Sequence, residues 1–197
     1  MDLPPDFKDL LAPFDVAALD GETSTIYGLT EDLRLGYVNP AWHAFARANG
    51  ALNSDGVWNA GLPIMDATPA PLRLAYQRLF DRARTDHVVV EHEYECSSPT
   101  SFRWFRMRVH PCDSGAFLVV NILLRTSDHV RPSMSAIDAI YRNGEGLIAQ
   151  CSHCRCVRRN GPPASWDWVP DYVETPPSGI SHSICGVCFD YHYPPDV

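Results

Sequence analysis

Two cysteine pairs, Cys151-Ser-His-Cys154 and Cys185-Gly-Val-Cys188, constrain this chain more than any other feature. Thiols two residues apart on a tight turn can reach the same ion. Two such turns supply the four soft ligands of a tetrahedral site, for which zinc is the first choice. Thirty residues separate Cys154 from Cys185, more than the usual ribbon spacing. Loop-closure entropy grows only with the logarithm of length, so the insertion is tolerated. The pattern predicts that Cys151, Cys154, Cys185 and Cys188 hold one Zn²⁺ and organise a C-terminal module over residues 148–197. His153, His182 and Cys156 are alternative ligands, although four thiols already fill the shell. A closed shell leaves no position for water or substrate and argues against metal catalysis. The competing chemistry is a redox dithiol that receives an oxidative signal and releases its metal.

Size and charge set the remaining bounds. A chain of 197 residues with 45% hydrophobic content can bury one ordinary core and carry a small appendage. A formal charge of -8 with a pI near 5.4 disfavours nucleic acid and anionic lipid as partners, because both require clustered cations. The cations are one lysine, Lys8, and otherwise arginines, with no basic run. Neither a leader pattern nor an apolar stretch of membrane-spanning length is evident, so the expected location is cytoplasmic. In that reducing compartment seven cysteines, an odd number, read as ligands or buried thiols rather than disulfides. Cys96 and Cys112 are expected to act as small buried hydrophobes.

Periodicity divides the rest. Residues 1–23 read as a helical cap, with Phe7, Leu10, Leu11 and Phe14 at helical spacing and Pro13 breaking the register. Its apolar face either covers the same chain or pairs with a second copy, which would make a homodimer. From Ser24 short strands alternate with turns: residues 24–30 and 34–39 form a hairpin around Thr30–Leu33. Asn39-Pro40 then opens a helix carrying Trp42, Phe45 and Ala46. A loop with Gly56 and Gly61 follows. Pro71 begins an amphipathic helix with Leu72, Ala75, Tyr76, Leu79 and Phe80 inward.

Three longer strands form an antiparallel meander over residues 87–97, 101–112 and 115–125. Glu91, Glu93 and Glu95 share one face of the first, Arg106 and Arg108 one face of the second, so charges pair across strands. The last strand is apolar on both faces and should be central. Residues 127–147, with Met134, Ile137, Ile140 and Tyr141 at helical spacing, read as a linker helix.

Hairpin, helices and meander over residues 24–126 resemble a PAS domain. Tyr37-Val-Asn-Pro40 before an aromatic helix is similar to the family's YVNPA segment, and residues Arg103–Val109 to the RWF.MRV strand of bacterial sensory members. The tail, Cys151-Ser-His-Cys154-Arg-Cys-Val-Arg158 through Ser181-His182-Ser-Ile-Cys185-Gly-Val-Cys188, resembles a cysteine-rich segment that follows sensor domains in bacterial signalling proteins. Ser183 and Gly186 replace that segment's usual glycine and proline without removing a ligand. The resemblance implies an α+β protein: a PAS-like antiparallel sheet with flanking helices and a small zinc-ribbon-like module.

It also implies a sensory or dimerisation role, with haem, flavin or another small ligand in the body. Trp42, Phe45, Tyr76, Phe80, Tyr94, Phe105 and Met107 are candidate pocket residues, read equally as core. His43 and His87 are candidate haem ligands. Arg155, Arg158 and Arg159 are placed to offset the charge of four thiolates. With no nucleophile elbow, phosphate-binding loop or zincin helix, the expectation is a non-enzymatic signalling protein with a protein partner. Occupancy of the body would act on the tail through residues 127–150.

Overall fold

The computed structural model describes residues 5–49 and 60–194; Gly56 and the last three residues of the tail fall outside them. The chain forms two compact units. One comprises Met1–Thr68, Leu72–Glu93 and Phe105–Leu123, the other Pro69–Pro71, Tyr94–Trp104 and Leu124–Val197. Among the described residues no helix is long and apolar enough to cross a membrane.

The first unit is organised by an antiparallel sheet of five strands in the order β2-β1-β5-β4-β3. These are β1 (Thr25–Leu29), β2 (Leu35–Val38), β3 (Val90–Glu95), β4 (Ser101–Pro111) and β5 (Phe117–Asp128). Central β5 buries Phe117, Leu118 and Val119 in succession, as a strand covered on both faces must. Helix α1 (Pro5–Leu10), the turn after it and α2 (Val16–Asp20) bury Phe7, Leu11 and Leu19 against Ile26, Tyr37, Cys112 and Leu118. The amphipathic face of the N-terminal cap is therefore spent within the chain. Gly36 and Gly28 make room for it: a Cβ at Gly36 would fall within the Phe7 ring, and one at Gly28 would lie 2.8 Å from it. Neither strand could carry a side chain there without expelling Phe7.

Asn39 ties three segments together at the start of α3 (Pro40–Ala48). It is fully buried, and its Oδ1 accepts from the Ile26 and Trp42 amides, each at 3.0 Å. Its Nδ2 donates to the Leu19 and Ser24 carbonyls. One side chain thus caps a helix and fastens β1 and the preceding loop. A short α4 (Ile64–Ala67) and the long α5 (Ala70–Asp86) follow, the latter burying Leu72, Phe80 and Ala83. The expected cross-strand charges pair: Arg106 meets Glu93 at 2.7 Å and Arg108 meets Glu91 at 2.9 Å.

The second unit is built on a smaller sheet, β8-β7-β6-β9, from β6 (Ile148–Cys151), β7 (Val157–Arg158), β8 (Trp166–Asp167) and β9 (Ile180–Ser183). Helices α6 (Asp138–Tyr141) and α7 (Pro170–Glu174) contribute Tyr141 and Tyr172, which pack edge to face in a core with Ile148, Val157 and Val169.

Residues 127–147 do not form the expected linker helix. Strand β5 continues to Asp128, and only Asp138–Tyr141 is helical. The Met134 amide instead donates to the Trp168 carbonyl at 2.9 Å, and Ser133 forms an isolated bridge to Trp168. Pro132 lacks an amide for a helical ladder, and the flanking serines favour extended or turn backbone. The apolar spacing remains legible only in its second half, where Ile140 and Tyr141 pack into the core while Ile137 stays exposed.

Candidate metal centre

Strands β6 and β9 run parallel, with Ile148 opposite Ile180 and Cys151 opposite Ser183. Both cysteine turns therefore leave the same end of the sheet. The first turn is closed by the Cys151 amide donating to the Cys156 carbonyl and the Arg155 amide donating to the Cys151 carbonyl. Arg155 takes a left-handed φ of 59°, in the turn that leads to the Cys156 carbonyl. The second turn opens α8 (Gly186–His192), where the Cys185 sulfur caps the helix by accepting from the Cys188 amide at 3.5 Å.

All four Sγ atoms lie within 4.8 Å of one another, and Cys154 and Cys185 approach to 3.8 Å. Zinc–thiolate bonds of about 2.3 Å imply tetrahedral edges of about 3.8 Å. The donor set and its spacing fit that ion. All seven cysteines are free thiols, so the cluster is not a pair of disulfides. The Cys185 amide also points at the Cys151 sulfur, 3.4 Å away, the kind of N–H···S contact that steadies a thiolate ligand.

Four thiols this close cannot all ionise unaided. Hydrogen bonds from Cys154, Cys185 and Cys188 hold the Cys151 thiol far below its usual range. The same bond to Cys151 pushes Cys154 up to about 12, and Cys185 and Cys188 rise further through their bonds to Cys151 and Cys154. One negative charge is easily held and four are not. A divalent cation at the centre would supply the missing attraction and displace the remaining protons.

The arginine that steadies this loop is Arg131. It forms a bidentate pair with Glu95, at 2.8 and 2.6 Å, and donates to the Cys154 carbonyl at 3.3 Å. Its guanidinium lies over the Trp168 and Phe102 rings. The Glu95 side chain is only 6% exposed, so the pair is largely desolvated. The neighbouring arginines do other work or face outward: Arg159 binds Asp167, which also accepts from the Tyr141 hydroxyl, and Arg158 is exposed. Neither Arg131 nor Glu95 stands near the cysteine motif in sequence. The one available signal was the odd acidic residue on β3, left over once Glu91 and Glu93 are matched with Arg106 and Arg108.

The remaining candidates are placed as follows. His153 is buried, stacks on His192 at 3.9 Å and meets the Tyr193 hydroxyl at 3.2 Å, while His182 is exposed; neither belongs to the ligand cluster. Cys156 is buried beside the cluster as a fifth thiol. Cys112 is buried in the core and Cys96 half-buried. Among the pocket candidates Phe80, Phe105 and Met107 are buried, and Trp42, Phe45, Tyr76 and Tyr94 half-buried. Phe45 packs edge-on to Phe105 at 5.7 Å, Phe80 on Phe117 at 5.2 Å, and Met107 accepts from the Tyr27 hydroxyl. His43 stacks edge-on to Trp42, whereas His87 is exposed and pairs with Asp113 at 3.2 Å.

No family model and no curated protein matches the chain. Among solved structures it is similar to a domain of an HTR-like protein from Haloarcula marismortui ATCC 43049, at 18% identity and a TM-score of 0.39, over 53% of this chain and all of that one. A likeness of that size carries no argument for function.

Proposed function

We propose that this chain is a non-enzymatic signalling protein, in which a PAS-like sensory body is joined to a structural zinc module that engages a protein partner. The four-cysteine cluster carries the reading. It offers a closed, all-thiolate shell, buried at three of its four members, that is suited to Zn²⁺ and leaves no vacancy for substrate. The PAS-like assignment is supported by hairpin, helices and meander in the strand order β2-β1-β5-β4-β3, and by Asn39 at the hub of the Tyr37–Pro40 segment. Seven free thiols suit a reducing, cytoplasmic location. The signal is a population shift passed along residues 127–150.

Elemental analysis of purified protein should find one zinc per chain, and chelation should abolish amide protection in β6 and β9. Metal-free protein with those strands intact would sink the reading. A visible spectrum of the same sample tests the haem and flavin alternatives and should be colourless. The redox-sensor alternative is favoured by one observation, the partial exposure of Cys188. Thiol labelling of the zinc-loaded protein decides it: inert cysteines support a structural site, and rapid labelling with zinc release supports sensing.

A further inference from the structure

A cavity of about 590 Å³ lies within the second unit, beside the metal centre. Its size falls in the range of small-molecule sites, roughly 300–1,000 Å³. Rings dominate its wall, among them Phe102, Trp166, Trp168 and Tyr191. Two of these already hold a positive charge. The Arg131 guanidinium lies 5.5 Å from the Trp168 centroid and 5.7 Å from that of Phe102, drawn to the electron-rich ring faces. Trp166 lines the same cavity without such a partner. It packs half-buried against the cysteine cluster, and among the described residues no ring stacks on it and no guanidinium covers it. Tyr191 is 61% exposed and Val187, one turn before it on α8, 81%, so these two lining residues stand at the open side.

The charges of the wall select the sign of the ligand. Arg131 is its arginine, and that charge is matched by Glu95; Asp167 is matched by Arg159. What remains is the metal centre, since Cys154, Cys185 and Cys188 also border the cavity. Four thiolates around one Zn²⁺ carry a formal charge of about -2. Apolar walls screen that charge poorly, so the space beside Trp166 attracts a cation and repels an anion. Both carboxylates of the wall are already in ion pairs, which leaves ring faces and the field of the centre to hold the ligand. A primary ammonium is strongly hydrated and regains too little from such a wall, whereas a methylated one is suited to it. We propose that this cavity binds a small organic cation, a methylated ammonium joined to an apolar body, through the Trp166 and Tyr191 rings and the negative charge of the zinc-loaded centre. Its charge complement rests on the zinc reading proposed above.

The test titrates the full-length zinc-loaded protein with benzyltrimethylammonium at low salt and pH 8, well above the usual histidine range, and follows tryptophan fluorescence. Saturation is expected below about 1 mM. Neopentylbenzene, the same shape with carbon in place of the charged nitrogen, should bind about tenfold more weakly, and benzylammonium about fivefold. Phenylmethanesulfonate, a similar shape with a negative charge, should not saturate. Trp166→Leu should weaken the cation about tenfold and neopentylbenzene less than twofold. Because Trp166 also packs against the cysteines, a second pair of variants acts at an exposed position: Val187→Lys should weaken the cation about threefold and Val187→Glu tighten it about threefold. Absence of saturable binding overturns the proposal, as does a neutral isostere that binds as well as the cation or a response that ignores both Val187 changes. Tighter binding of benzylammonium would identify a hydrogen-bonding amine site and overturn it equally. Zinc content is measured on each sample: one zinc per chain without cation binding sinks this proposal alone, and metal-free protein sinks the zinc reading together with it.

Discussion

The two units order their chain by different means. The first holds residues 105–111 of β4 and 117–123 of β5, and Phe7, Leu11, Leu19, Leu72 and Phe80 are buried in it. In the second, β7 and β8 have two residues each, and one of its two buried clusters consists of four cysteines around Trp168. Ladders that short cannot bury enough apolar surface to offset the entropy of the chain they order. The contrast teaches that a unit with little core needs either a metal or desolvated polar links, and this one has four clustered thiols that could hold the first and the Arg131–Glu95 pair as the second.

The sharpest way to break the contrast is to remove the metal site. Cys151→Ser or chelation should cost the second unit most of the roughly 10–16 kcal/mol that a structural zinc site contributes. Hydrogen exchange should show β6, β7 and β9 unprotected while β1 and β2 keep their protection. Uniform loss would show that the units do not differ in this respect.

Next in size is Arg131→Ala, which strands Glu95 in a largely desolvated place. Breaking a buried pair costs about 3–5 kcal/mol. Arg131 itself is 27% exposed, so the lower end is expected. The loss should be read in urea unfolding, and Arg131→Ala/Glu95→Leu should recover part of it. Asn39→Ala is the counterpart in the first unit. It removes a helix cap and leaves the Ile26 amide buried and unmatched, for about 2–4 kcal/mol together. Protection should fall in β1 and remain in β6.

The smallest effect is one of pH. Burial, reinforced by Arg108, holds the His110 imidazole below its usual value of 6.5, and its ring packs edge-on to Phe14. The unfolded chain binds that proton more readily, so this contribution is complete above about pH 6.5 and is lost as pH falls through the lower folded value. Thermal midpoints between about pH 7.5 and 5.5 should decline more in the parent than in His110→Gln. Equal slopes would assign the decline elsewhere.

What could be read in advance follows the same division. Alternating and helical apolar spacing located the five strands and both long helices of the body, because their packing repeats a regular period. The cysteine turns were legible because ligand geometry requires short fixed spacing. Arg131 was not, since its partners Glu95, Phe102 and Trp168 are distant in sequence and joined only by folding. The linker was misread because Met134 and Ile137 mimic a helical stripe, whereas the backbone bond from Met134 to Trp168 commits that stretch to an extended path. Local period gives no hint of such a long-range bond.

Parallel pairing of β6 with β9 has a further consequence. Sliding β9 by two residues would preserve every inward and outward side chain, so its apolar pattern alone does not reject the shifted alignment. It would, however, carry Cys185 and Cys188 about 6.6 Å along the strand axis, beyond any common ion. A metal ion held by the four thiols would thus act as a proofreader of strand alignment, admitting only the pairing in which Cys151 faces Ser183.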